Sequence, residues 1–130
     1  WLVPEIELEF DLDPARTLVR ARLEVERNGG HDRPLRLDGE ELDLLAVRVD
    51  GEEVEPVHDG GQLVIALTGD RAVVETEVAI APEKNSQLMG LYASGGLLCT
   101  QCEAEGFRRI TFFPDRPDVL SRYRVRMSAD

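Results

Sequence analysis

The chain has 130 residues, which fits a single domain spanning residues 1–130 with a core that needs no disulfide or metal. Its formal net charge is −11, from 15 basic and 26 acidic side chains. Because an acidic surface repels phosphate, we expect neither nucleic acid nor an anionic membrane as a partner. No apolar run approaches the roughly 20 residues of a membrane-spanning helix, and no signal peptide is recognisable. Since the first residue is Trp1, we expect the chain to begin inside a longer gene product.

The first part of the chain predicts a β-hairpin. Ile6, Leu8 and Phe10 alternate with glutamates, and apolar residues alternate with charged ones again across residues 17–27. This period of two is typical of strands with one buried and one solvated face. Asp13-Pro14 lies between the two runs and predicts the turn that joins them.

Short strands continue along the rest of the chain. Leu45, Val47 and Val49 are predicted to share one face and lead into Asp50-Gly51, a dipeptide that favours a two-residue hairpin. The remaining predicted strands cover residues 35–37, 63–67, 72–81, 97–102, 107–113 and 119–127, and glycine, proline or aspartate turns separate most of them. The pattern predicts an all-β fold, an antiparallel sandwich or barrel-like sheet. Because the chain stops just after a strand, we expect the natural protein to continue.

Two features of the C-terminal third leave alternatives open. Six arginines and only two aspartates occur between residues 107 and 127, which indicates either an acidic neighbouring surface or a solvated strand face. The aromatic pair Phe112-Phe113 is interpreted as core, although an interaction surface is the alternative.

The cysteines Cys99 and Cys102 have the C-x-x-C spacing of some metal and redox sites. Zinc needs four ligands, and neither His31 nor His58 is near them in sequence. Redox pairs sit at helix N-termini, whereas this region reads as strand. We therefore interpret the cysteines as structural thiols, and free thiols favour a reducing, cytoplasmic location. Both histidines are expected in exposed loops.

Chemistry-bearing residues concentrate in one strand. Gln101, Glu103 and Glu105 alternate along it, so it is either an exposed edge or the lining of a polar cleft. Carboxylate pairs can perform acid–base chemistry when their pKa values are driven apart, but a solvated face is the commoner arrangement. The sequence contains no G-x-S-x-G, phosphate-binding loop or dinucleotide-binding pattern.

A longer stretch around this strand resembles a known family. The segments GLYASGGLLCTQCEAEGFRRIT at residues 90–111 and DRPDV at 115–119 are similar to the N-terminal domain of bacterial aminopeptidase N, a family of zinc-dependent gluzincin peptidases. FDLD at 10–13 and PLRLDGEEL at 34–42 extend the resemblance. It implies an all-β, saddle-like domain, here a fragment, which packs on a thermolysin-like catalytic domain of the same polypeptide. The catalytic domain would hold the zinc.

The same resemblance assigns roles to two residues. Gln101 and Glu103 match positions that bind the free α-amino group of the peptide substrate, while Cys102 between them would face the other way. An amide oxygen and a carboxylate can accept two of the three N–H bonds of an ammonium group. The chain departs from the complete enzyme because it has no H-E-x-x-H motif, no third zinc ligand and no exopeptidase motif. We expect no catalytic residue and no metal ligand here, and an inactive fragment.

A rival interpretation is a non-catalytic β-sandwich module that binds protein or carbohydrate. It is motivated by the missing catalytic set. The gene sequence downstream separates the two: an H-E-x-x-H motif would indicate the enzyme, and an early stop codon the module.

Overall fold

The computed structural model describes residues 1–40, 42–82, 90–94, 97–101, 110–113 and 122–129. For residues 90–94 and 97–101, only the backbone and the strand pairing are described. Within these ranges every element with defined bounds is a β-strand, as predicted. They contain no helix of a length and apolarity that could cross a membrane.

Eleven strands are described, and they form three sheets. In chain order they are β1 (Leu2–Leu12), β2 (Thr17–Glu26), β3 (Leu35–Asp38), β4 (Asp43–Val49), β5 (Glu52–Glu53), β6 (Val57–Asp59), β7 (Gln62–Ile65), β8 (Arg71–Ile80), β9 (Gly90–Ser94), β10 (Leu97–Gln101) and β11 (Arg122–Ala129). The large sheet has the order β11-β1-β2-β8-β4-β5, the small sheet β3-β7-β6, and β9 pairs with β10.

The core lies between the large and the small sheet. Apolar side chains of β1, β2 and β8 come into register as rows, for example Phe10, Val19 and Val78, all buried. The same hydrophobic cluster includes the buried leucines of β3 and β7. These strands thus turn their apolar faces toward one another, which is the packing of a β-sandwich.

Both predicted hairpins are present. At the first, the Asp13 carboxylate accepts backbone N–H bonds from Ala15 at 2.8 Å and Arg16 at 3.2 Å, which closes the turn. At the second, Asp50 and Gly51 adopt φ values of 50° and 86° and join β4 to β5. Two successive positive φ values are the geometry that favours Asp-Gly in a two-residue turn.

One strand pair departs from the antiparallel prediction. Strand β11 runs parallel to β1, so Glu5, Glu7 and Glu9 lie opposite Arg122, Arg124 and Arg126. Three of the six arginines of residues 107–127 therefore lie beside acidic side chains within the sheet. Both sets of side chains are on the outer face, and the arginines are also exposed to solvent.

The predicted face of β4 is wrong at one position. The register with β8 shifts between Leu44 and Ala46, which is a β-bulge. Leu44 packs against the core, whereas Leu45 is 44% exposed. Because an extra residue in one strand reverses the alternation, a strict period of two misassigned Leu45.

Candidate functional site

The strand that bears Gln101 belongs to a two-stranded antiparallel sheet. Leu97 pairs with Ser94, and Gln101 pairs with Gly90. Gln101 is the last residue of β10.

The second predicted site residue, Glu103, lies outside the described residues, as do Cys102 and Glu105. The structure therefore places the backbone of Gln101 on a strand, while the shared face of Gln101 and Glu103 stays a prediction. The C-x-x-C pair is described only at the backbone of Cys99 in β10.

The segment that follows, residues 110–113, is firmly attached to the core. Ile110, Thr111, Phe112 and Phe113 are each no more than 4% exposed. Phe113 and Asp38 exchange two backbone hydrogen bonds, at 2.8 and 3.1 Å. The interpretation of Phe112-Phe113 as core is therefore confirmed. Of the predicted strand at residues 107–113, only 110–113 are described, and these form a buried segment in which Phe113 makes a β-bridge with Asp38.

A close approach at Gly39 fixes the ring of Phe112. A Cβ atom on Gly39 would lie 2.2 Å from the nearest carbon of this ring. The ring of His58 is 6.3 Å away, centroid to centroid. His58 itself lies in strand β6 rather than in the expected loop, and is exposed. The contact with Gly39 holds the end of the segment that follows the candidate site residues.

A polar cluster that sequence patterns did not reveal surrounds Arg27. Its guanidinium lies 4.5 Å from the Trp1 ring centroid, contacts the Asp70 carboxylate at 3.2 Å and donates to the Gly69 carbonyl oxygen at 3.0 Å. It also donates to the His31 carbonyl oxygen. Only 11% of its side chain is exposed. No motif signals this cluster because its members are far apart in sequence.

His31 is only partly exposed, unlike the loop histidine that was expected. Its ring meets Trp1 edge-on at 5.7 Å between centroids, and its Nδ1 accepts a hydrogen bond from the Arg33 backbone N–H at 3.2 Å. Its Nε2 is buried with no hydrogen-bond partner among the described residues. Loss of solvation, and then the positive charge of Arg33, lower the pKa of His31 below 6.5.

The outer face of the large sheet forms an open groove of about 450 Å³ lined mainly by charges. Arg20 lies at its centre, 3.3 Å from the Glu9 carboxylate and 3.9 Å from that of Glu77. Arginines and glutamates alternate across the strands in register. Exposed pairs of this kind contribute little stability individually, so the groove is a solvated, mixed-charge face.

The described residues do not form a catalytic zinc site. In the part of the chain that the structure describes, no three histidine, cysteine, aspartate or glutamate side chains cluster as metal ligands would. The two histidines of the whole sequence are also not spaced as H-E-x-x-H.

No family model matches the chain, but individual proteins do. It is 56% identical over 133 residues to aminopeptidase N of Caulobacter vibrioides, and 45% identical over 131 residues to aminopeptidase N of Escherichia coli. In each case all of this chain is covered. The chain spans only 15% of the length of these relatives.

Solved structures share the fold. Aminopeptidase A of Legionella pneumophila, in complex with aspartic acid, matches 97% of this chain and 16% of its own, with a TM-score of 0.87 and 27% identity. An M1 zinc metallopeptidase variant from Deinococcus radiodurans, bound to a Tyr-Ser-Ala substrate, has a TM-score of 0.78 at 21% identity over 98% of this chain and 32% of its own, a likeness of fold alone. On this evidence the 130 residues belong to the aminopeptidase N family, in which they correspond to the N-terminal β domain.

Proposed function

We propose that this chain is the substrate-amine-recognising β domain of a zinc-dependent aminopeptidase that removes N-terminal residues from peptides in the cytoplasm. The observation that supports the proposal is 56% identity to an aminopeptidase N over the whole chain. The polypeptide outside these residues, which corresponds to the unmatched part of the relatives, would form the catalytic domain against which this domain packs.

Within this function, Gln101 and Glu103 would bind the free α-ammonium group of the peptide. The group is a cation with three N–H donors, and the two side chains offer an uncharged and a charged oxygen acceptor. A charge-assisted bond is stronger than a neutral one, so Glu103 would dominate affinity and Gln101 would fix direction. Peptides with a blocked N-terminus lack the charge and two of the donors, and would bind poorly.

Zinc and its ligands would belong to the rest of the polypeptide, since this sequence contains no H-E-x-x-H motif. When bound, the metal supplies an activated water molecule. The contribution of this chain is to bind and orient the substrate amine. Hydrolysis by the 130 residues alone is not expected.

The decisive experiment is Glu103→Gln in the full-length protein. We expect kcat/KM for an amino-acid p-nitroanilide to fall about 10- to 100-fold, because hydrogen bonds to charged groups contribute about 1.5–3 kcal/mol. Hydrolysis should be followed at 405 nm by the release of nitroaniline over a range of substrate concentrations (about 0.1–10 times KM).

Glu53→Gln is the matched control, because it removes one carboxylate from exposed strand β5. It should leave kcat/KM unchanged. Wild-type kinetics for Glu103→Gln, or equal losses in both variants, would refute amine recognition by Glu103. Hydrolysis of the N-acetylated substrate as fast as the free one would refute it independently.

A further inference from the structure

Strand β11 exposes a row of apolar side chains that has the composition of a core. The row, called here the β11 stripe, consists of Tyr123, Val125 and Met127, which are 47%, 52% and 65% exposed. Their strand partners in β1 are Ile6, Leu8 and Phe10, all buried. Paired residues on neighbouring strands point to the same side of a sheet. The stripe therefore continues the apolar face of the large sheet onto β11, where nothing in the described residues buries it.

Scattered apolar residues on a surface need no explanation, but these three are consecutive on one face of one strand. The opposite face of β11 bears Arg122, Arg124 and Arg126 beside the glutamates of β1. The strand thus has a solvated face and a face suited to burial. Phe113, in the core, has its ring 6.3 Å from that of Tyr123, so the stripe is continuous with the core.

The relatives contain a long stretch of polypeptide outside the matched region, which could cover the stripe. The chain spans 15% of the matched aminopeptidase N sequences and 16% of the aminopeptidase A chain. We propose that the β11 stripe is an intramolecular docking surface, covered in the full-length protein by apolar side chains of the polypeptide outside the matched region. This rests on the proposed function insofar as that function makes the chain one domain of a larger enzyme.

A second copy of the chain is a poorer occupant. Two copies packed stripe against stripe would bring together two chains that each carry a formal net charge of −11. Large net charges of one sign repel and keep proteins monomeric. An apolar segment of the same polypeptide meets no such repulsion, and its covalent attachment gives it a high effective concentration.

Oxidation of Met127 tests the proposal without a mutation. Full-length protein is treated with hydrogen peroxide, and Met127 sulfoxide is measured by peptide mass spectrometry in the native state and in guanidinium. We expect Met127 to react at least about 10-fold more slowly in the native protein, because thioether oxidation follows exposure. Equal rates in the two states would overturn the proposal. Protection of Met127 in the full-length protein that is lost on dilution would assign the stripe to a second copy, and would overturn it too.

A variant pair gives an independent reading. Val125→Asp in the full-length protein should lower Tm by several degrees, while Arg124→Gln on the other face of β11 should lower it little. If Val125→Asp does not fold, the oxidation rate still decides. Equal Tm values for Val125→Asp and wild type would contradict the proposal. Loss of activity in Glu103→Gln is separate, so either idea can fail alone.

Discussion

At the residue scale, space rather than backbone conformation reserves position 39 for glycine. Its φ is not in the left-handed region, but a Cβ there would overlap the Phe112 ring. Gly39→Ala should destabilise the domain by about 1–3 kcal/mol, the usual cost of overpacking a core. Urea unfolding followed by circular dichroism measures it. Gly30→Ala is the control, since nothing lies within 4 Å of a Cβ there; an equal effect of both variants would contradict the explanation.

His31 makes stability depend on pH. The pKa of His31 is lower in the folded state than in the unfolded chain, so the unfolded chain binds the proton more readily. The free energy of unfolding therefore decreases as pH falls below about 6.5. At higher pH, His31 is neutral in both states and stability no longer depends on its protonation. Urea unfolding between pH 5 and 7.5 should show a steeper acid loss in wild type than in His31→Gln. Parallel pH profiles for the two proteins would refute the role of this histidine.

At the element scale, replacing either of two buried threonines by valine should change stability, with opposite signs at the two positions. In β8, the Thr76 hydroxyl is buried between Ala21 and Val47 with no hydrogen-bond partner among the described residues. In β2, the Thr17 hydroxyl donates to the Asp13 carbonyl at 2.8 Å and accepts from the Asp13 N–H at 3.1 Å. Because an unmade bond costs about 1–3 kcal/mol, Thr76→Val should stabilise by about 1 kcal/mol.

Thr17→Val should instead destabilise by a similar amount, about 1–2 kcal/mol, because it leaves the Asp13 backbone groups without their partner. Thermal and urea unfolding of both variants provide the comparison. A shift of the same sign in both would show that side-chain packing, rather than hydrogen bonding, governs the two sites.

The elements that sequence predicted well are those with local signals. β2 alternates along its whole length, β1 does so from Glu5 onward and β8 from Val73 to Val78. Asp50-Gly51 is the dipeptide that its φ values require. Prediction was wrong at Leu45, because a bulge depends on pairing with β8 and leaves no mark on the period of β4. At residues 110–113, the apolar composition predicted a strand for a related reason. These residues are held by burial and by the β-bridge from Phe113 to Asp38 rather than by a ladder of strand pairing.

At the scale of the whole molecule, the all-β class was predictable and the sheet order was not. The parallel neighbour of β1 comes from the far end of the chain, a pairing that alternation cannot indicate. The candidate site followed from the resemblance to a known family. Residue spacing alone gave Gln101 and Glu103 no role beyond that of ordinary strand residues. The Arg27 cluster was not predictable, since Trp1, His31 and Asp70 meet only after folding.

The parallel β1–β11 pair also sets the order of events during folding. Glu5 pairs with Arg122, so nearly the whole chain must be synthesised before that edge of β1 is occupied. Contacts between such distant residues close late, since the entropy of the intervening loop must be overcome first. In the interval, the row of glutamates on β1 repels other acidic strands and disfavours premature edge pairing. We therefore expect the charges that later meet the arginines of β11 also to protect the edge of β1 from wrong pairing during synthesis.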